Sequence, residues 1–151
     1  ALRLVFSMST IAWELERMAD HAKGVAVLAQ RLADQPLLKP LIDIPRMAEI
    51  SVDMLHRAVT AFINQDAELA RQIPAEDDQV DNLYNQIYRE LVAIMLSDPS
   101  TIDRANYLLW VAHNLERVAA RVTNICERAI YTATGQLMEC APSDDEVVEP
   151  L

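Results

Sequence analysis

The sequence predicts an all-α fold, a bundle of amphipathic helices, on three observations. The stretch from Tyr107 to Gly135 carries apolar residues at Leu108, Val111, Leu115, Val118, Val122, Ile125 and Ala129. Their steps alternate three and four, the stripe of a helix with one face in a core. A second stretch, Leu4, Met8, Ile11, Leu15, Met18, Ala22, Val25, Ala29 and Leu32, keeps the same alternation. The composition, 52% hydrophobic with 2 glycines and 5% aromatics, suits helices and lacks the turn residues of a sheet protein. At 151 residues the chain is long enough for one domain with a substantial core.

Taken in order, residues 1–34 read as the first helix, ending near Asp34-Gln35-Pro36. Ala1 opens inside the amphipathic pattern without a starting methionine or a cap, so a fragment or processed chain is expected. Residues 35–44 form a Pro-rich linker. The three prolines between Pro36 and Pro45 forbid a continuous helix, while Leu37, Leu38, Leu41 and Ile42 predict that the segment lies against a surface. A second helix over about 45–64 turns Met47, Ile50, Met54, Ala58 and Ala61 inward. Asn64-Gln65 marks a break, Asp66 caps a short continuation through Gln72, and Pro74 ends it. A third helix over about 76–96 puts Val80, Tyr84, Ile87, Leu91 and Ile94 on its apolar face. Asp98-Pro99-Ser100 stops it and starts the long last helix, with Ser100 read as N-cap and Asp103 as an acidic version of a capping box. Gly135 stands where a left-handed C-terminal cap belongs. Residues 136–151 form an acidic tail with Pro142, Pro150 and no helical period, read as disordered.

The two stripes share more than their period. Leu15-Glu16-Arg17-Met18-Ala19-Asp20-His21 matches Leu115-Glu116-Arg117-Val118-Ala119-Ala120-Arg121 at a separation of 100 residues. That match, in phase along both stripes, reads as an internal duplication.

Charge and motifs exclude several function classes. A net charge of −10 opposes a nucleic-acid partner, which demands a basic surface. No apolar run approaches the roughly 20 residues needed to span a bilayer, and no signal peptide is evident. Cys126 and Cys140 make no Cys-x-x-Cys motif and fit the reducing cytoplasm. Among the histidines, only His56 has an acid three residues before it, Asp53, so the paired Glu-x-x-His set of a di-iron carboxylate enzyme is absent. Two glycines leave no phosphate-cradling loop, and no Ser-His-Asp order stands out, so no enzyme is expected.

Two acidic pairs remain as candidate ligands. Asp77 and Asp81, four apart at the start of the third helix, put two carboxylates on one face, where they complement the helix N-terminus or hold a hard cation. Glu16 and Asp20 repeat that spacing on the first helix. On the last helix Arg117, Arg121 and Arg128 form a basic ridge expected to make ion pairs within or between helices.

The paired Leu-Glu-Arg segments, the Asn124-Ile125-Cys126-Glu127-Arg128 run and the Asp77-Asp78-Gln79-Val80-Asp81 stretch resemble the PhoU family over roughly residues 1–135. The resemblance implies tandem antiparallel three-helix bundles in which the Leu-Glu-Arg helix is the third of each. Residues 1–34 would be the last helix of an incomplete first repeat, and residues 45–135 the whole second repeat. It implies a cytoplasmic negative regulator of phosphate uptake and phosphate-starvation signalling, with the transporter ATPase and a PhoR-type histidine kinase as partners. Some members bind iron or other metals through Glu-or-Asp-x-x-x-Asp motifs. Glu16, Asp20, Asp77, Asp81 and Glu116 are the corresponding metal candidates, with iron or another hard cation as the ion. Ala120 replaces the aspartate that would accompany Glu116. The first helix, stripped of its family partners, is expected to pack on the second bundle or swap into another copy, giving a homo-oligomer. The alternatives are a metal-binding bundle protein or enzyme, or the PhoU domain of a larger transporter.

Overall fold

The computed structural model describes residues 1–140, and among them every regular element is helical. The elements are α1 (Leu2–Leu32), α2 (Asp43–Asn64), α3 (Ala67–Gln72), α4 (Asp77–Ser97) and α5 (Ile102–Thr134). 3-10 turns at Ile73–Glu76 and Pro99–Thr101 lead into α4 and α5. α5 is the axis of the molecule, since α1, α2, α3 and α4 all pack on it. α2, α4 and α5 form the three-helix bundle, with α3 closing one end. α1 lies outside, its backbone packed on α5 and on no other described helix.

The inward faces follow the expected periodicity. Met47, Met54, Ala58 and Ala61 of α2, Val80, Ile87 and Leu91 of α4, and Val122, Ile125 and Ala129 of α5 are all buried completely. Each large side chain among them contributes roughly 1.5–3 kcal/mol by leaving water. Leu115 and Val118, expected in the core, are only half-buried. They face a groove between α1 and α2 whose walls include Leu15, Ala19, Val52 and Leu55.

The ends of the helices have identifiable causes. Pro45 is tolerated in the first turn of α2, where no intrahelical N–H is needed, so the helix starts at Asp43, two residues before the expected position. Gln65 closes α2 in the left-handed region, φ 53°, and the Asp66 carboxylate then accepts from the Leu69 N–H at 3.0 Å to start α3. Ser100 is not the cap before α5. Asp98 does that work, its carboxylate accepting from the Ser100 N–H at 3.0 Å and from its hydroxyl at 2.7 Å. The shorter Asx-type bond, two residues on, fits the 3-10 turn that Pro99 opens, and α5 begins only at Ile102. Gly135 ends α5 as expected, at φ 78°, its N–H donating to the Tyr131 carbonyl at 2.8 Å.

α1 departs furthest from its expected stripe. The residues it buries are Ser7, Ile11, Glu14 and Met18, while Leu4, Met8 and Leu15 stay 39%, 54% and 39% exposed. A helix with one neighbour buries a narrow ridge, and here that ridge shares Ile11 and Met18 with the apolar line but takes Ser7 and Glu14 in place of Met8 and Leu15. Of the four apolar linker residues Leu38 packs on the core, and Lys39 pairs with Glu90 of α4, while Leu37, Leu41 and Ile42 stay 67%, 42% and 69% exposed. Residues 136–140 turn back, the Cys140 N–H donating to Glu127 Oε1 at 2.9 Å. The remainder of the acidic tail, 141–151, lies outside the described residues.

Candidate functional site

The seam between α1 and α5 holds the least ordinary chemistry of the described residues. The partners of α1 run backwards along α5: Arg3 with Tyr131, Phe6 with Arg128, Glu14 with Arg121, His21 with Asn114, Arg31 with Tyr107. The two helices are therefore antiparallel along nearly their whole length. At mid-seam the Glu14 side chain is 6% exposed, yet both its oxygens are held. Arg121 Nη1 donates to Oε2 at 3.2 Å and Asn124 Nδ2 to Oε1 at 3.1 Å. The Trp13 ring lies 5.5 Å from the Arg121 guanidinium, covering the pair from the outside. A buried carboxylate is tolerable only with such partners.

Two turns on, Asn114 ties the helices again. Its Nδ2 donates to the Trp110 carbonyl at 2.9 Å, which leaves Oδ1 as the acceptor facing His21 Nδ1 at 2.9 Å. His21 therefore carries a proton on Nδ1 in this arrangement. Gly24 permits the approach, because a Cβ there would stand 3.2 Å from Asn114 Oδ1.

The carboxylates singled out from the sequence are spread over both faces. Glu16 is exposed on α1, and Asp20 pairs with Arg17 at 3.7 Å. Asp77 and Asp81 are half-buried in the first turns of α4. Glu116 lies across from α4, where Tyr84 feels its charge, and its Oε2 is 4.0 Å from His113 Nδ1. Burial, then Glu116, raises the Tyr84 phenol above its ordinary value. His113 is pushed down by burial first and then by the Arg117 guanidinium and the neighbouring His21 ring. Among the described residues no three His, Cys, Asp or Glu side chains are grouped closely enough to hold a metal ion. The Asp77, Asp81 and Glu116 carboxylates thus do not form a ready ligand set with these side chains as placed.

The polar core of the seam was not visible as a site in the sequence. Its signal was a seven-residue spacing: Ser7 and Glu14 fall on the same line as Ile11 and Met18. The basic ridge was the complementary half, and Arg121 does make the interhelical ion pair expected of it. The thiols play no part there. Burial pushes Cys126 up to about 12 and raises Cys140 as well, so both are poor nucleophiles.

Fold and seam together define a helical-bundle protein, a three-helix bundle with one further long helix laid antiparallel along its last helix. Residues 44–129 match the PhoU domain. A phosphate-specific transport system accessory protein PhoU homolog from Aquifex aeolicus is 41% identical over 138 residues, 91% of this chain and 62% of that protein. The crystal structure of PhoU from Pseudomonas aeruginosa is matched with a TM-score of 0.84 at 33% identity, over 89% of this chain and 65% of that one. That of the phosphate transport system regulatory protein PhoU from Streptococcus pneumoniae gives 0.80 at 33%, over 91% and 65%. The chain belongs to the PhoU family, and spans a little under two thirds of the length of these relatives.

Proposed function

We propose that this chain takes part in restraining phosphate uptake and phosphate-starvation signalling, in the cytoplasm, through contact with other proteins. The observation that carries the reading is the match along nearly the whole described chain to proteins named as phosphate transport accessory and regulatory factors. Contact with other proteins is supported by the exposed Phe6, Trp13 and Trp110 rings along the α1–α5 pair. The transporter ATPase and a PhoR-type sensor kinase are the proposed partners. The exposed apolar residues of α1, such as Leu4, Val5 and Met8, support self-association as a further property.

Removal of the gene in the organism that encodes the chain tests the reading through radiolabelled phosphate uptake. Uptake at high external phosphate is expected to rise and a phosphate-starvation reporter to switch on. Uptake and reporter both unchanged would overturn the proposal.

A further inference from the structure

One side of the α1–α5 pair is a ladder of arginines and aromatic rings on an otherwise acidic protein. At each end an arginine of α1 faces a tyrosine of α5, Arg3 with Tyr131 at 6.0 Å and Arg31 with Tyr107 at 5.6 Å. Between them the roles reverse, Phe6 and Trp13 of α1 facing Arg128 and Arg121 of α5, each at 5.5 Å. Lys23 and Arg31 line the open cleft beside Tyr107 and Trp110. Arg17 stacks on Trp13 from the same helix at 5.0 Å. From Arg3 to Arg31 the ladder runs about 42 Å at the helical rise.

The carboxylates Glu14 and Asp20 lie among these cations, one held inside the seam and the other beside Arg17. The rings are available as well as the charges: Phe6 is 60%, Trp13 49% and Trp110 52% exposed. We infer that this ladder is a docking surface for an acidic helical segment of a partner protein. It names a surface for the regulatory contact proposed above, and rests on that reading only for the need of a partner.

Chemistry selects this occupant. Arginine supplies a planar fork that takes a carboxylate with two parallel bonds, and lysine does not. Arg121 and Asn124 already hold a helix carboxylate, that of Glu14, through one bond each, inside the seam beneath the ladder. Exposed tryptophan beside arginine is the composition of energetic centres in protein interfaces. An anionic bilayer is the competing occupant, favoured by the same residue types. The chain's net charge of −10 opposes its approach to an extended anionic plane, whereas a single helix meets only the ladder.

Fluorescence anisotropy with a labelled helical peptide bearing a glutamate on every turn, and a twin with glutamine instead, tests the inference. The glutamate peptide is expected to bind and the glutamine twin to bind about tenfold more weakly or worse. Arg17→Glu with Arg31→Glu, both exposed and neither bonded to Glu14, should weaken the glutamate peptide about tenfold or more. The neutral pair Arg17→Gln with Arg31→Gln should fall between, with circular dichroism unchanged, so that a misfolded reversal variant leaves the inference testable. Equal binding of the two peptides overturns the inference, as does equal binding by the wild type and the neutral pair. So does capture by phosphatidylglycerol vesicles without peptide binding. Phosphate uptake in the gene-removal experiment reads the regulatory role without this surface, so the two can fail separately.

Discussion

Glu14→Leu is the most informative single substitution. It leaves the Arg121 guanidinium, 18% exposed, inside the seam without its carboxylate. Breaking a buried pair from one side costs about 3–5 kcal/mol when both partners are fully enclosed. Arg121 keeps some water and its contact with Trp13, so about 2–4 kcal/mol is expected here. Arg121 Nε, buried and with no acceptor among the described residues, has nothing to recover on that side. Glu14→Gln preserves the shape and one acceptor, and should cost only about 1–2 kcal/mol. Glu14→Leu combined with Arg121→Met removes both charges and fills the space, and should return to within about 1 kcal/mol of the wild type. The coupling between positions 14 and 121 is then about 2 kcal/mol or more, read from urea melts followed by tryptophan fluorescence. Additive single and double costs would refute the pair as the organising contact of the seam.

Leu91→Ala, from a fully buried position in α4, should cost about 2–5 kcal/mol, whereas Leu115→Ala, half-buried beside the apolar groove, should cost about half as much. Equal urea midpoints for the two variants would contradict the packing of α5. His113, held below the ordinary imidazole value near about 6.5, makes stability fall as pH drops from there toward its folded pKa, because the unfolded chain binds the proton first. His113→Asn should flatten that slope in urea midpoints. Glu127, raised by burial, has the opposite sign, adding stability as pH falls from its raised value toward the ordinary carboxylate range, and is left untouched by that variant. Calorimetric titration of manganese should give negligible heat with the wild type, whose carboxylates form no group of three among the described residues, and a measurable heat with Ala120→Asp, which restores a carboxylate four residues after Glu116. Strong binding by the wild type would show that the carboxylates rearrange around the ion.

How much was legible in the sequence depended on how many neighbours each helix has. α2 and α4 sit between other elements, so period and hydrophobicity alone placed Met54 and Leu91 inside. The start of α5 was misplaced because Asp98 and Ser100 both have capping side chains, and only the turn following Pro99 decides which one accepts. In α1 the stripe was right at Ile11 and Met18 and missed Ser7 and Glu14, because the burial of Glu14 depends on Arg121 and Asn124, more than 100 residues away. Periodicity counts a carboxylate as polar and cannot see that two donors will meet it. The acidic pairs were visible as spacing, but spacing along one helix says nothing of which other helix supplies the remaining ligands.

The attachment of α1 to a single neighbour gives the molecule two levels of stability. α5 is enclosed by α1, α2, α3 and α4, so its amides are freed only when the whole bundle opens. α1 is held along one ridge, with Leu4, Met8 and Leu15 substantially in water, and adds only Ile11 and Met18 to the buried core that holds Met47, Ile87 and Ile125. Its amides should therefore exchange hydrogen for deuterium well before those of α5, as one cooperative unit. The Glu14–Arg121 pair sits near the middle of that ridge, where it sets how often the helix lifts.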